Sequence, residues 1–256
     1  MRRGHAALLW VLLLAAFVPD AARAHARANV RGVPILMYHV VSDPPAGAPY
    51  PELYVRPRDF RLQIAWLARH RFRAVTLMHV YDYWHGTATL PAHPIVISFD
   101  DGYLSQYRRA FPALARRRWP AVLNMEVNFL DTAGGLLPWR VRSLIRAGWE
   151  LDDHTLTHPD LTTLAPAELW REVHGSRVRL RDEFHVPVAF FCYPAGRYDS
   201  AVIGAVRRAG FLGATTTNYG LARPPNYYTL DRVRIDRSDG LVGFVRKLTA
   251  LLAGNR

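Results

Sequence analysis

The stretch Ile97–Ser105, ISFDDGYLS, decides how the rest of this chain is read. Together with the residues just before it, it begins as HPIVISF (His93–Phe99), an apolar, β-branched run of the kind that forms a strand buried on both faces. It ends on two adjacent carboxylates, Asp100 and Asp101, followed by Gly102. Like charges side by side at the end of a buried strand repel each other. They stand in a solvated turn, cap the following helix, or share a cation.

Similar runs recur on both sides of this stretch. VPILMYHVV (33–41), AVTL (74–77), PAVLNMEV (120–127), VAFFCYP (188–194), GATTT (213–217) and YTLDRVRI (228–235) read as strands, and WELDD (149–153) leads into HTLTH (154–158). Between them lie segments with helical spacing. In 57–70, Phe60, Ile64 and Leu67 share a face. Helices are also expected over 103–118, broken or kinked at Pro112, and over 139–147, 165–184, 200–210 and 241–252. About seven alternations of strand and helix predict a parallel α/β fold, either a closed barrel or an open doubly wound sheet. No glycine-rich phosphate turn is present, which argues against a nucleotide site.

The start of the 256-residue chain is read separately. A basic head (Arg2, Arg3), the apolar run Ala6–Val18 and the small residues Ala22–Ala24 predict a secretory signal peptide over 1–24. A linker is expected over 25–32 and a single domain over 33–256. The formal charge is +12, almost all from arginine, since Lys247 is the only lysine. The arginines are scattered, so nucleic acid is not the expected partner, whereas loose association with an anionic cell envelope is. Cys192 is the only cysteine, so no internal disulfide forms and the fold rests on its core. The chain is expected to be a monomer, exported to the periplasm or beyond.

Chemistry gathers at the ends of strands, where α/β folds assemble sites. MYH (37–39), FDDG (99–102), DDHTLTH (152–158) and CYPAGRYD (192–199) all fall there. His154 and His158 are four apart, so one turn of helix-like backbone would bring their rings to one side. Two histidines and a carboxylate suit a divalent metal with open positions.

In order and spacing, SFDDG, HTLTH and FCYPAGRYD resemble the polysaccharide deacetylase family with the NodB homology domain. The likeness spans roughly 33–256, with the core motifs over 94–200. VPILMYH adds a likeness to the branch acting on poly-N-acetylglucosamine. The resemblance implies a distorted (β/α)7 barrel and removal of N-acetyl groups from a polysaccharide, either exopolysaccharide or peptidoglycan. It implies Asp100 as general base and Asp101, His154 and His158 as ligands of a divalent metal, zinc before cobalt or nickel, with a metal-bound water as nucleophile. The Ala195 N–H, after Tyr193 and Pro194, would hold the oxyanion and line the substrate site. No histidine follows His185, so the family's late acid is absent, and His39 is the expected replacement.

Two departures stand out. Cys192 occupies the place of an arginine that usually steadies the catalytic aspartate; Arg232 or Arg234 could replace it, with Arg234 taken as a supporting residue. Asp152 stands where glycine is common, and with Asp153 could supply a carboxylate behind a metal histidine. Alternative readings are a non-catalytic glycan-binding protein, an acetylxylan-type O-deacetylase, and a metal-dependent phosphoesterase.

Overall fold

A computed structural model describes residues 31–254. The expected signal peptide and most of the expected linker lie outside the described residues. Ten strands are present among them: β1 (Ile35–Tyr38), β2 (Val40–Val41), β3 (Tyr54–Val55), β4 (Arg73–Ala74), β5 (Pro94–Phe99), β6 (Val122–Met125), β7 (Glu150–Asp153), β8 (Phe190–Cys192), β9 (Gly213–Tyr219) and β10 (Leu230–Arg234). The helices are α1 (Pro57–Arg69), α2 (Leu77–Trp84), α3 (Phe111–Ala115), α4 (Pro138–Arg146), α5 (Pro166–Trp170), α6 (Ser176–Phe184), α7 (Ser200–Arg208) and α8 (Gly240–Ala253).

The main sheet runs β1-β10-β9-β8-β7-β6-β5, every neighbour parallel, and β1 pairs again with β5. Seven strands therefore close into a barrel, with the short β4 attached outside β5. Closure selects the barrel over the open sheet. It also fixes the level of the strand ends, because Tyr38 stands opposite Phe99 and Met37 opposite Arg234.

Alternation along the strands separates stability from chemistry. Leu36, Tyr38, Ile95, Ile97, Phe99, Leu123, Leu151, Phe191 and Val233 join Phe60, Ile64 and Leu67 of α1 and apolar residues of the other helices in one core. Residues of the opposite parity face the barrel interior. Among them are Ser98, Asp100, Asn124, Asp152, Cys192 and Arg232, all buried.

Several local expectations change. The run 33–41 is two strands, because the backbone breaks at His39. Most of 74–77 is not strand: Thr76 accepts the His79 N–H and so caps α2. The helix at 103–118 opens as a π turn, Gln106–Ala110, before Pro112 sits in the first turn of α3, where its missing N–H costs nothing. The long helix at 165–184 carries a π turn at Arg171–Gly175. Residues 154–158 are not a helical turn, since Thr155 (φ 73°) and His158 (φ 55°) are left-handed.

Candidate active site

Four strand ends meet in a cleft of about 600 Å³ at the C-terminal mouth of the barrel. Its lining includes His39 after β1, Asp100 and Asp101 after β5, His154 and His158 after β7, and Tyr193 and Ala195 after β8. The two carboxylates of the DDG motif are parted by backbone conformation. Asp100 continues the strand, and its N–H donates to the Tyr38 carbonyl at 2.9 Å. Asp101 turns left-handed (φ 73°), a conformation that Asp accepts more readily than most residues. Gly102 follows at φ 95°, and a Cβ there would lie 2.4 Å from Met125 Sδ, so the third position of the motif must be glycine.

Asp101, His154 and His158 offer ligand atoms all within 4.8 Å of one another. The Nε2 atoms of His154 and His158 lie 3.3 and 3.8 Å from Asp101 Oδ1. That oxygen is buried and accepts no hydrogen bond. His154 donates Nδ1–H to the Cys192 carbonyl at 2.7 Å, which leaves the Nε2 lone pair directed at the cluster. Two imidazole nitrogens converging on an unsatisfied carboxylate oxygen make a three-donor set that fits a divalent cation. Asp100, His154 and Cys192 also converge, but a guanidinium already reaches Asp100 and Cys192.

That guanidinium belongs to Arg232, and its position corrects the expectation for Arg234. Arg232 and Asp100 form a buried two-toothed pair, Nη1–Oδ1 and Nη2–Oδ2 both 2.8 Å. Arg232 Nη2 also lies 3.3 Å from Cys192 Sγ. Cys192, on the inward face, leaves room for an arginine delivered from another strand. Arg234, two residues on and one layer nearer the mouth, lines the cleft without touching Asp100. Asp100 Oδ1 also accepts from Asn124 Nδ2 at 2.7 Å. Burial alone would raise the Asp100 pKa, but Arg232 and His39 override it and hold the carboxyl well below the usual carboxylate range.

His39 Nε2 lies 3.8 Å from Asp100 Oδ2. Burial lowers its pKa below the ordinary imidazole value, and the two aspartates oppose that shift only in part. The buried Gln106 amide donates to both the His39 carbonyl (3.0 Å) and the Asp100 carbonyl (2.6 Å), stapling the two strand ends together.

Ala195 is left-handed (φ 51°) and lines the cleft, and its N–H has no hydrogen-bond partner among the described residues. Pro194 is buried and sets this turn without lining the cleft. Tyr193 is fully buried, and its hydroxyl donates to the Tyr228 carbonyl. Asp153 makes no hydrogen bond to either histidine of the cluster. Its Oδ1 accepts the Thr155 N–H at 2.7 Å and so shapes the loop that carries the histidines, while the Cys192 carbonyl backs His154. Asp152 likewise turns to the Phe190 N–H. Glu126, after β6, is a cleft residue that the sequence reading missed; burial and the charge of Asp101 push its carboxyl up to about 7.

Residues 87–214 match the family model for polysaccharide deacetylase. The chain belongs to the polysaccharide deacetylase family. It is therefore an enzyme of hydrolytic type, and the deacetylase barrel is the one described above. The protein YxkH of Bacillus subtilis (strain 168) is 28% identical over 82% of this chain and 73% of its own length. The poly-beta-1,6-N-acetyl-D-glucosamine N-deacetylase of Escherichia coli (strain K12) is 34% identical over 85% of this chain. This deacetylase chain spans only 38% of that relative. Among solved structures, the Streptococcus pyogenes deacetylase PplD superposes with a TM-score of 0.79 at 23% identity, covering 86% of this chain and 99% of that one, a likeness of fold. No helix among the described residues is long and apolar enough to cross a membrane.

Proposed function

We propose that this deacetylase removes N-acetyl groups from an N-acetylglucosamine-containing polysaccharide, with a divalent metal held by Asp101, His154 and His158. The observation that carries the reading is the unsatisfied Asp101 Oδ1 between two imidazole Nε2 atoms, beside an aspartate kept ionised by Arg232. A cation held there would bring the pKa of a water down to about 7 and would polarise the acetyl carbonyl.

The chain's own groups supply the remainder. Asp100 accepts the proton of the attacking water, for which it must be ionised. The water oxygen bonds to the acetyl carbon, and the Ala195 N–H donates to the oxyanion that develops; such a donor is worth about 3–4 kcal/mol. His39 gives its proton to the sugar nitrogen as the C–N bond breaks, releasing acetate and a free amine. The branch-like VPILMYH segment and the 34% identity to an enzyme whose name specifies an N-acetylglucosamine polymer support amide over ester cleavage. Zinc suits the two-imidazole, one-carboxylate set, with cobalt or nickel as substitutes. The signal-peptide pattern read in the sequence of residues 1–24 supports export.

Acetate release from N-acetylglucosamine oligomers, with and without chelator, tests this reading. Activity lost with chelator and restored by zinc supports it. Release from acetylxylan alone would reassign the bond cleaved, and purified chain without stoichiometric metal would sink the proposal.

A further inference from the structure

Strand β10 sends two arginines to the same side, two residues apart. Arg232 is spoken for: besides Asp100, its Nε donates to the Thr216 carbonyl at 2.7 Å and its Nη1 to Ser98 Oγ. Arg234 is not. It is half-buried, lines the cleft, and its guanidinium makes no hydrogen bond or ion pair among the described residues. Only its main-chain carbonyl is used, by Lys247 Nζ. The third arginine of the cleft, Arg197, is engaged by Asp160. Arg234 is thus the cleft's one unengaged guanidinium among the described residues.

Its position in the ring adds direction. Arg234 is in register with Met37, two residues before His39, so it stands on the side of the cleft where the leaving nitrogen is protonated. Around the ring, β6 lies across from β10, and Glu126 at the end of β6 is the cleft carboxyl outside the Asp100–Asp101 pair. The cleft is therefore basic on one wall and acidic on the other. A neutral glycan needs neither charge. A half-desolvated guanidinium without a carboxylate is costly, and that cost is recovered when an anion arrives. The planar fork of arginine matches a carboxylate with two parallel hydrogen bonds.

We propose that Arg234 is a carboxylate receptor, and that the preferred glycan carries an acid group on a sugar next to the one losing its acetyl group. This rests on the deacetylase reading above. The carboxylate could be the lactyl ether acid of N-acetylmuramic acid or the acid of a hexuronate, and either would bind in the same way.

Three probes of known structure separate the cases: N-acetylglucosaminyl-N-acetylmuramic acid, a hyaluronan tetrasaccharide, and neutral N,N′-diacetylchitobiose. Acetate release gives kcat/KM for each with metal-loaded enzyme, and calorimetry gives affinity independently of turnover. At least one acidic probe is expected to exceed the neutral one by about tenfold or more, the scale of a charge-assisted contact. R234A should collapse that ratio to about one, R234K should restore part of it, and added salt should weaken it. The preferred acidic probe identifies the source of the carboxylate, and equal preference for both assigns the carboxylate alone. A ratio near one in the wild type, or a ratio unchanged in R234A, overturns the proposal. In particular, R234A shifting the basic limb of the pH profile equally for acidic and neutral probes would make Arg234 a tuner of His39 instead. If no probe releases acetate, the deacetylase reading fails by itself. Calorimetry then decides Arg234: tighter binding of an acidic probe, lost in R234A, upholds the receptor, and equal binding removes it.

Discussion

Replacing Arg232 by methionine tests the electrostatic centre of the site. The side chain is 1% exposed and faces an Asp100 that is 2% exposed, with two contacts of 2.8 Å. Methionine keeps much of the volume and removes the charge. Breaking a buried pair by deleting one partner costs about 3–5 kcal/mol, because the other charge is left uncompensated. For a chain of this size each kcal/mol moves Tm by about 2–4 °C, so a drop of about 6–20 °C is expected at neutral pH. The sign with pH follows from Asp100. In the wild type its pKa is depressed, so its stabilisation is present above the unfolded value of about 3.9 and is lost as pH falls below it. In R232M burial acts without its main opposing charge, and the pKa rises. The variant's deficit should therefore be largest near pH 7 and shrink toward pH 4, as protonation relieves the stranded carboxylate. The acidic limb of kcat/KM should move up into the measurable range, with a loss on the order of 10² at pH 7. R232K, which keeps charge but not the fork, should fall between. Denaturation at several pH values and a pH–rate profile read both effects. An acidic limb that stays in place, with a deficit below about 1 kcal/mol, would refute the claim that Arg232 keeps the base ionised.

H39N should abolish the basic limb of the pH–rate profile, which in the wild type should lie on the acid side of the ordinary imidazole range; an unchanged limb removes His39 as the acid. D101N and H158A should each lose bound metal by elemental analysis, whereas D100N should retain it without turnover. G102A should destabilise by more than about 1 kcal/mol in denaturant, combining a left-handed backbone with a Cβ pressed into Met125 Sδ. E150Q concerns stability alone. Burial pushes the neighbouring Glu150 and Asp152 carboxyls up together, despite the Met78 and Phe190 N–H groups they accept, so wild-type stability falls as pH rises above the ordinary carboxylate range of about 4. The glutamine variant should show a flatter profile, and an equal slope in both proteins would exclude Glu150 as its source.

Residue types and spacing singled out Asp101, His154 and His158, which the structure gathers within 4.8 Å, because a cation imposes donor chemistry that few other arrangements share. The barrel itself was half legible. Alternation gave parallel strands, but closure depends on β1 meeting β5, a pairing no local pattern encodes. Residues that act through space were harder. Arg232 and Arg234 differ by one layer on the same face, and only depth decides which reaches Asp100. Asn124 and Gln106 lie in segments that read as ordinary strand and helix, and each matters through a bond to a distant backbone or carboxylate. The parity of Asn124, inward on a strand otherwise apolar, was the available signal. The HTLTH spacing pointed to two rings that do meet, though across a left-handed loop and not on a helical turn.

The Gln106 staple divides the site mechanically. His39 and Asp100 ride on paired strands and are clamped by one amide, whereas His154 and His158 flank a loop with left-handed Thr155. In the proposed mechanism the clamped pair moves the protons, while the loop, itself tied to Asp153 and Glu172, holds the ion. Removing and restoring a metal should therefore leave the clamped His39–Asp100 pair in place, so that activity returns without refolding.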